Sequence, residues 1–260
     1  MKRVLAPAAL IVLLLGAWQL AADWDVLSNL LKVEDFLVPS PTQIATALWE
    51  DHSLLADNAW VTLREVVLGF GLAVACGLAF AVAMHLSETL RRAVYPLLVA
   101  SQTVPVIAIA PILVVWFGFG IGPKLSIIAL VCFFPITVNA FDGLRSVDPD
   151  LIKMMRTLDA TRWQVLRRVE APSALPFAFS GAKIAVAVAV IGSVFGEWAG
   201  SDSGLGHLML QASAQLLTAR LFAAIAVLSA IAICLFGLLA LAERHWLSWH
   251  RPRDAAGRPT

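Results

Sequence analysis

Charge is what this chain has least of. Acidic and basic residues make up 14% of its 260 positions, against about 25% in soluble domains. Hydrophobic residues make up 60%, and the mean hydropathy is +0.82. This balance excludes an ordinary soluble domain and points to an all-α polytopic membrane protein. Cysteine is also scarce. Cys76, Cys132 and Cys234 lie far apart in apolar runs, at no metal-ligand spacing and in no disulfide framework.

Familiar catalytic patterns are missing. There is no H-E-x-x-H helix for zinc and no G-x-x-x-x-G-K-[ST] loop for phosphate. The glycine-rich run G-F-G-I-G-P-K, residues 118–124, follows no strand and reads as a tight turn. Ser203 and His207 are close in sequence, so an intramembrane hydrolase is the competing enzyme reading. G-S-D-S-G is not the nucleophile-elbow pattern, however. His52, His85, His207, His245 and His250 form no cluster. No catalytic residue, metal site or resident cofactor is expected, and nothing suggests a nucleic-acid partner.

What is present is a series of long apolar runs. A spanning helix needs about 20 mostly apolar residues. About six candidates occur, at residues 4–22, 60–84, 95–117, 125–142, 177–198 and 221–242. Lys2 and Arg3 precede the first, as in a signal peptide, but its core is long and no A-x-A site follows, which favours a retained helix. With the N-terminus inside, most basic residues fall on the cytoplasmic side, among them Arg91, Arg92, Arg145, Lys153, Arg156, Arg244, Arg251, Arg253 and Arg258. Only Lys32, Arg64, Lys124 and Arg220 fall outside, and Lys183 lies within the fifth run. The asymmetry places both termini in the cytoplasm of a multi-pass plasma-membrane protein.

The organisation that follows is an N-terminal span (1–22), an outer segment (23–59), a core (60–243) and a basic tail (244–260). The outer segment is acidic, with Asp23, Asp25, Glu34, Asp35, Glu50, Asp51 and Asp57. Pro39 and Pro41 break it, and Ser40 or Thr42 can cap a short surface helix whose apolar face is Ile44, Ala45, Leu48 and Trp49. The third run contains Q-T-V-P-V-I-A-I-A-P. Pro105 and Pro111 predict a kink or a break beside Gln102 and Thr103. Either prolines simply bend the span, or a broken helix lines a substrate path. Further candidates for that path are Asn139, Ser193 and Glu197. Asn139 shares a face with Asp142, which reads as solvated. Ser180, Gly181, Gly192, Ser193 and Gly196 allow close helix approach. Glu197 and Trp198 are expected to close the fifth span at the outer interface, and residues 208–217 to form a short re-entrant or surface helix.

Residues 151–176, LIKMMRTLDATRWQVLRRVEAPSALP, are the polar interruption between two apolar runs. They read as two short cytoplasmic helices joined at a turn and ended by Pro172 and Pro176, a docking surface. Thr161 and Gln164 have the T-x-x-Q spacing of a capping box.

This segment resembles the coupling motif of bacterial ABC importer permeases, E-A-A, three residues, G, nine residues, I, one residue, L-P. Lys153-Met154-Met155 stand at E-A-A, Asp159 at the glycine, Val169 at the isoleucine and Ala171-Pro172 at the final pair. An aspartate tolerates a left-handed turn, so the turn can survive the loss of glycine. L-V-P-S-P-T-Q-I, T-L-R-E-V-V-L-G-F and P-x-x-A-x-A-P-I-L-x-x-W-F-G-F-G are similar to nitrate/sulfonate/taurine-type permeases. G-S-D-S-G-L-G-H-L-M-L-Q-A and L-x-T-A-R-L-F-A-A-I look most like permeases for thiamine-pyrimidine precursors.

The resemblance implies a bilayer-embedded subunit fed by an external solute-binding protein and paired with a second permease chain, as a homodimer. It implies a separate ATPase pair that binds ATP and Mg. Coupling to that pair is assigned to Arg156, Asp159, Thr161, Arg162, Trp163, Gln164, Val165, Leu166, Arg167, Arg168, Val169 and Pro172. Of these, Trp163, Val165, Leu166 and Val169 would pack into the ATPase groove. Arg162, Arg167 and Arg168 would meet its acidic rim. The implied cargo is a hydroxymethylpyrimidine-type precursor. Nitrate, taurine or alkanesulfonates are the alternative, and an ATP-independent channel is a remoter one.

Overall fold

The computed structural model describes residues 2–24 and 37–247; Lys32 and the tail arginines Arg251, Arg253 and Arg258 lie outside these. Ten helices are used below: α1 (Lys2–Asp23), α2 (Pro41–Glu50), α3 (His52–Leu86), α4 (Glu88–Ser101), α5 (Val106–Phe117), α6 (Ile121–Arg145), α7 (Pro149–Thr157), α8 (Arg162–Gly200), α9 (Leu205–Ala214) and α10 (Thr218–Trp246). No strand occurs among the described residues. Among the described residues four helices, α3, α6, α8 and α10, are long and apolar enough to cross a bilayer. The pair α4–α5 gives a fifth span, bent by 106°. The first expected span is α1, whose described apolar stretch is Ala9–Asp23.

The chain packs as two units, Met1–Arg64 with Ser201–Ala230, and Glu65–Gly200 with Ile231–Thr260. In the first, Ser40 rather than Thr42 caps α2. Its hydroxyl accepts from the Gln43 N–H, the Gln43 side chain returns a bond to the Ser40 N–H, and Pro41 takes the first turn, where no donor is missed. The buried face of α2 is Ile44 and Ala47; Ala45 and Trp49 are exposed, unlike the expected stripe, because Ile44 and Ala47 are the pair that turns inward. Gln19 of α1 ties to Thr42 through both ends of its amide. Arg220 at the start of α10 grips Asp51 with two bonds of 2.6 and 2.9 Å. Helix α9 begins three residues before the expected 208. The reason is a cap supplied from α3: Asn58 Oδ1 accepts the Gly204 N–H at 2.7 Å and Thr62 Oγ1 accepts the Leu205 N–H at 2.8 Å. Gly204 has φ +112°, a conformation that excludes most side chains.

In the second unit α6 is the central helix. On one side, α8 approaches so closely that a methyl group on Gly181 would sit 2.6 Å from the Pro135 carbonyl oxygen. One on Gly192 would meet Val131 at 2.9 Å, and one on Gly196 the Lys124 backbone at 3.2 Å. Ala185, Ala189 and Ser193 continue this seam, all fully buried. On the other side, Gly69 and Gly77 of α3 seat Ile128 and Ile136. Apolar side chains gain little by leaving lipid, so such contact rests on backbone proximity and dispersion. The small residues noted in the fifth apolar run thus have a partner, and it is α6.

Adding one methyl at Gly181 should overpack this seam at a cost of about 1–3 kcal/mol. Gly237 has nothing within 4 Å of the same position. Thermal unfolding in detergent is expected to fall for Gly181→Ala and to stay level or rise for Gly237→Ala.

Candidate functional site: the 151–176 segment and the bend cavity

Helix α7 ends in a Schellman turn. The Ala160 N–H donates to the Met155 carbonyl at 3.1 Å and the Asp159 N–H to the Arg156 carbonyl at 3.0 Å. This needs a left-handed residue, and Asp159 occupies that conformation with φ +56°. The chain then enters α8 through the expected capping box. Thr161 Oγ1 accepts from the Gln164 N–H at 3.3 Å, and Gln164 Oε1 accepts from the Thr161 N–H at 2.8 Å.

The second short helix does not stop at Pro172 or Pro176, contrary to the sequence expectation. It continues to Gly200 by way of a π-helical turn, Leu166–Glu170. In that turn the Ala171 N–H reaches back five residues to the Leu166 carbonyl. The wider turn relieves the ladder just where Pro172 cannot donate, so the helix survives its proline. Pro172 is half-buried within α8.

Burial divides the residues that the resemblance assigns to coupling. Arg156, Asp159, Thr161, Trp163, Gln164, Arg167 and Arg168 are exposed and Val169 is intermediate. Val165 and Leu166 are buried, at 1% and 3%, so they anchor the segment to its own chain rather than offering a face to another. The exposed apolar surface falls instead to Met154, Leu158 and Trp163. Arg162 is exposed, yet it reaches back to its own chain. Its guanidinium donates to the His85 carbonyl at 3.3 Å and lies 3.7 Å from Glu170. Glu170 itself is 1% exposed, with His85 Nε2 2.9 Å from its Oε2, near in distance but not aligned as a hydrogen bond. Sequence reasoning passed over Glu170, although it is the only acid between Asp159 and Glu197.

At the other break, Gln102 to Pro105 separate α4 from α5, as the proline predicts. Pro111 sits inside α5 without ending it. A cavity of about 240 Å³ opens at this bend, lined by Ser101, Gln102 and Ile109 of the broken pair and by Val131, Gly192 and Phe195 among others from α6 and α8. No charged side chain lines it. Of the six path candidates Gln102 lines the cavity, while Thr103 and Pro105 lie exposed at the bend. Asn139 is half-buried and donates to the Pro135 carbonyl at 2.7 Å. Ser193 is fully buried on the α6 seam and donates to the Val190 carbonyl at 2.8 Å.

Glu197 is not at a wet boundary, as expected from its place at the end of the span; it is 1% exposed. Asp142 is solvent-exposed, as read. Near Glu197, Lys124 of α6 pairs with Glu65 of α3, and both are buried. Glu65 lies inside an apolar run, whereas Lys124 was read in the turn 118–124, of which residues 121–124 instead open α6; their meeting depends on α3 and α6 packing side by side.

A profile of one family matches residues 71–247, most of the chain, and its description is binding-protein-dependent transport system inner membrane component. The chain belongs to this family. The formylaminopyrimidine transport permease protein ThiX of Halalkalibacterium halodurans is 37% identical, over 96% of this chain and 99% of that one. The taurine transport system permease protein TauC of Escherichia coli is 32% identical, over 87% and 85%. An inward-facing MetNI methionine ABC transporter structure superposes with a TM-score of 0.64 at 22% identity, covering 77% of this chain and 98% of that one, a likeness of fold. The chain is a multi-pass inner-membrane transport subunit, not an enzyme, and ATP hydrolysis lies in a separate subunit. It works in an ABC complex with an ATPase and a binding protein.

Two outcomes test this geometry. Asp159→Gly removes a left-handed strain of about 1 kcal/mol and should raise the unfolding temperature, while Thr161→Ala should lower it by losing about 1 kcal/mol of cap. Lys124→Met alone should destabilise by about 3–5 kcal/mol because it strands a buried carboxylate. The Glu65→Gln/Lys124→Met double variant should recover much of that loss in the same melting assay.

Proposed function

We propose that the chain forms half of the translocation path of an ATP-driven importer for a thiamine pyrimidine precursor of the formylaminopyrimidine or hydroxymethylpyrimidine type. The observation that carries the cargo reading is the bend cavity. Its named polar groups are the Ser101 hydroxyl, which donates to the Leu98 carbonyl at 2.7 Å and leaves its oxygen as an acceptor, and the Gln102 amide, which can donate and accept; no cation lines it. A desolvated sulfonate or nitrate would find no counter-charge there, whereas a neutral heterocycle finds matched hydrogen bonds. The volume lies below the roughly 300–1,000 Å³ of drug-sized sites, which suits a single-ring solute. The relationship to a formylaminopyrimidine permease points the same way.

In this reading two copies pair as a homodimer, both termini are cytoplasmic, and the 151–176 segment faces two ATPase subunits that bind ATP and Mg. Met154, Leu158 and Trp163 enter the ATPase groove, and Arg156, Arg167 and Arg168 meet its acidic rim. The path runs past Gln102, Thr103 and Pro105. Asn139, Ser193 and Glu197 support its walls.

The complex reconstituted with its ATPase and binding protein should take up labelled formylaminopyrimidine and ignore taurine. Uptake of taurine or an alkanesulfonate, without competition by the pyrimidine, would overturn the cargo and leave the permease role standing. Trp163→Glu should abolish uptake and weaken co-purification of the ATPase at least about tenfold, the cost of a charge in a buried contact; undiminished uptake would remove Trp163 from the docking surface.

A further inference from the structure

We propose that Glu170, with His85 and Arg162, is the positioning joint that makes the coupling segment and the cytoplasmic end of α3 move as one body. The inference rests on the importer reading above and names residues through which docking motion would enter the spans.

The joint is built from two elements far apart in sequence. His85 belongs to the last turn of α3, Arg162 to the first turn of α8, and Glu170 to the turn that closes the π stretch. Arg162 donates to the His85 carbonyl, while the Glu170 carboxyl lies 2.9 Å from His85 Nε2 without the alignment of a hydrogen bond. The π turn is what lets one histidine receive both. Eight regular α steps of about 100° would leave Arg162 and Glu170 about 80° apart on the helix. A π turn absorbs one residue, so the eight positions behave as about seven, and the two side chains return to within about 20° of one face. Arg162 Nη1 and Glu170 Oε1 are accordingly 3.7 Å apart.

Burial gives the joint its stiffness. Glu170 is 1% exposed, and an acid so placed depends on the Arg162 guanidinium and the His85 ring beside it. Parting α8 from α3 would strand it. The neighbouring anchors Val165 and Leu166 are buried too, so the exposed docking residues stand on a fixed base. The three groups thereby convert a displacement of the docking surface into a displacement of α3 rather than a local bend of the loop.

The test places spin labels at Leu86→Cys and Leu151→Cys, both exposed positions outside the proposed docking contacts, in a background with Cys76, Cys132 and Cys234 replaced, within the full complex. The interlabel distance is expected to stay narrow and unchanged between the nucleotide-free and the Mg-ATP-vanadate-trapped states. Glu170→Gln should broaden and shift it on trapping, and Glu170→Asp should restore part of the narrow distribution. Formylaminopyrimidine moved per ATP hydrolysed should fall about tenfold in Glu170→Gln, within the roughly 5–150-fold range of coupling free energies.

A wild-type distance that itself changes on trapping overturns the joint, as does a Glu170→Gln complex with wild-type distance and stoichiometry. If Glu170→Gln does not assemble, His85→Gln decides: the same broadening supports the joint and wild-type behaviour overturns it. A wild-type complex that keeps its one-body distance but moves no pyrimidine refutes the cargo reading and leaves the joint in place.

Discussion

Everything in the larger unit depends on how closely α3 and α8 approach α6. In lipid the hydrophobic effect does not drive apolar helices together, so contact must come from shape. Glycines 181, 192 and 196 on one side of α6, and 69 and 77 on the other, remove the side chains that would hold the backbones apart. That approach is what makes the other features possible. It buries Lys124 against Glu65 at one end of α6. It sets the α6 and α8 walls of the bend cavity. It also carries α8 unbroken from that cavity to the 151–176 segment.

Proline has three different outcomes in this chain, and the difference is instructive. At Pro105 the helix breaks and the following segment turns through 106°. At Pro111 and Pro135 it continues, and the Pro135 carbonyl takes a side-chain donor from Asn139. At Pro172 a π turn just upstream absorbs the missing donor. A missing N–H forces only an accommodation; the surroundings choose which. Close packing on α6 keeps α8 whole, while the α4–α5 segment opens at its break onto a cavity.

Much of the architecture was readable from hydropathy alone. The apolar runs at 60–84, 125–142, 177–198 and 221–242 are the cores of α3, α6, α8 and α10, because about 20 apolar residues have few places to go but a bilayer. The turn at Asp159 and the Thr161–Gln164 box were equally legible, since both are local chemistry between residues no more than a few positions apart. The division of the coupling residues was not. Val165 and Leu166 look like their exposed neighbour Trp163 in sequence, and only their contacts within the chain remove them from the surface. Glu197 looks like an interfacial residue because it ends an apolar run, and the fold buries it.

The amino-acid sequence by itself thus determined the membrane class, the helical runs, the absence of a phosphate loop and the local turn chemistry of the 151–176 segment. Each follows from composition or from spacings shorter than about two helical turns. The tertiary structure alone decided that Glu65 meets Lys124, that Glu170 meets His85, that α8 passes through its prolines and that Gln102 faces a cavity. Those facts rest on which helix faces lie together, and one strand of text does not carry the packing of faces in space.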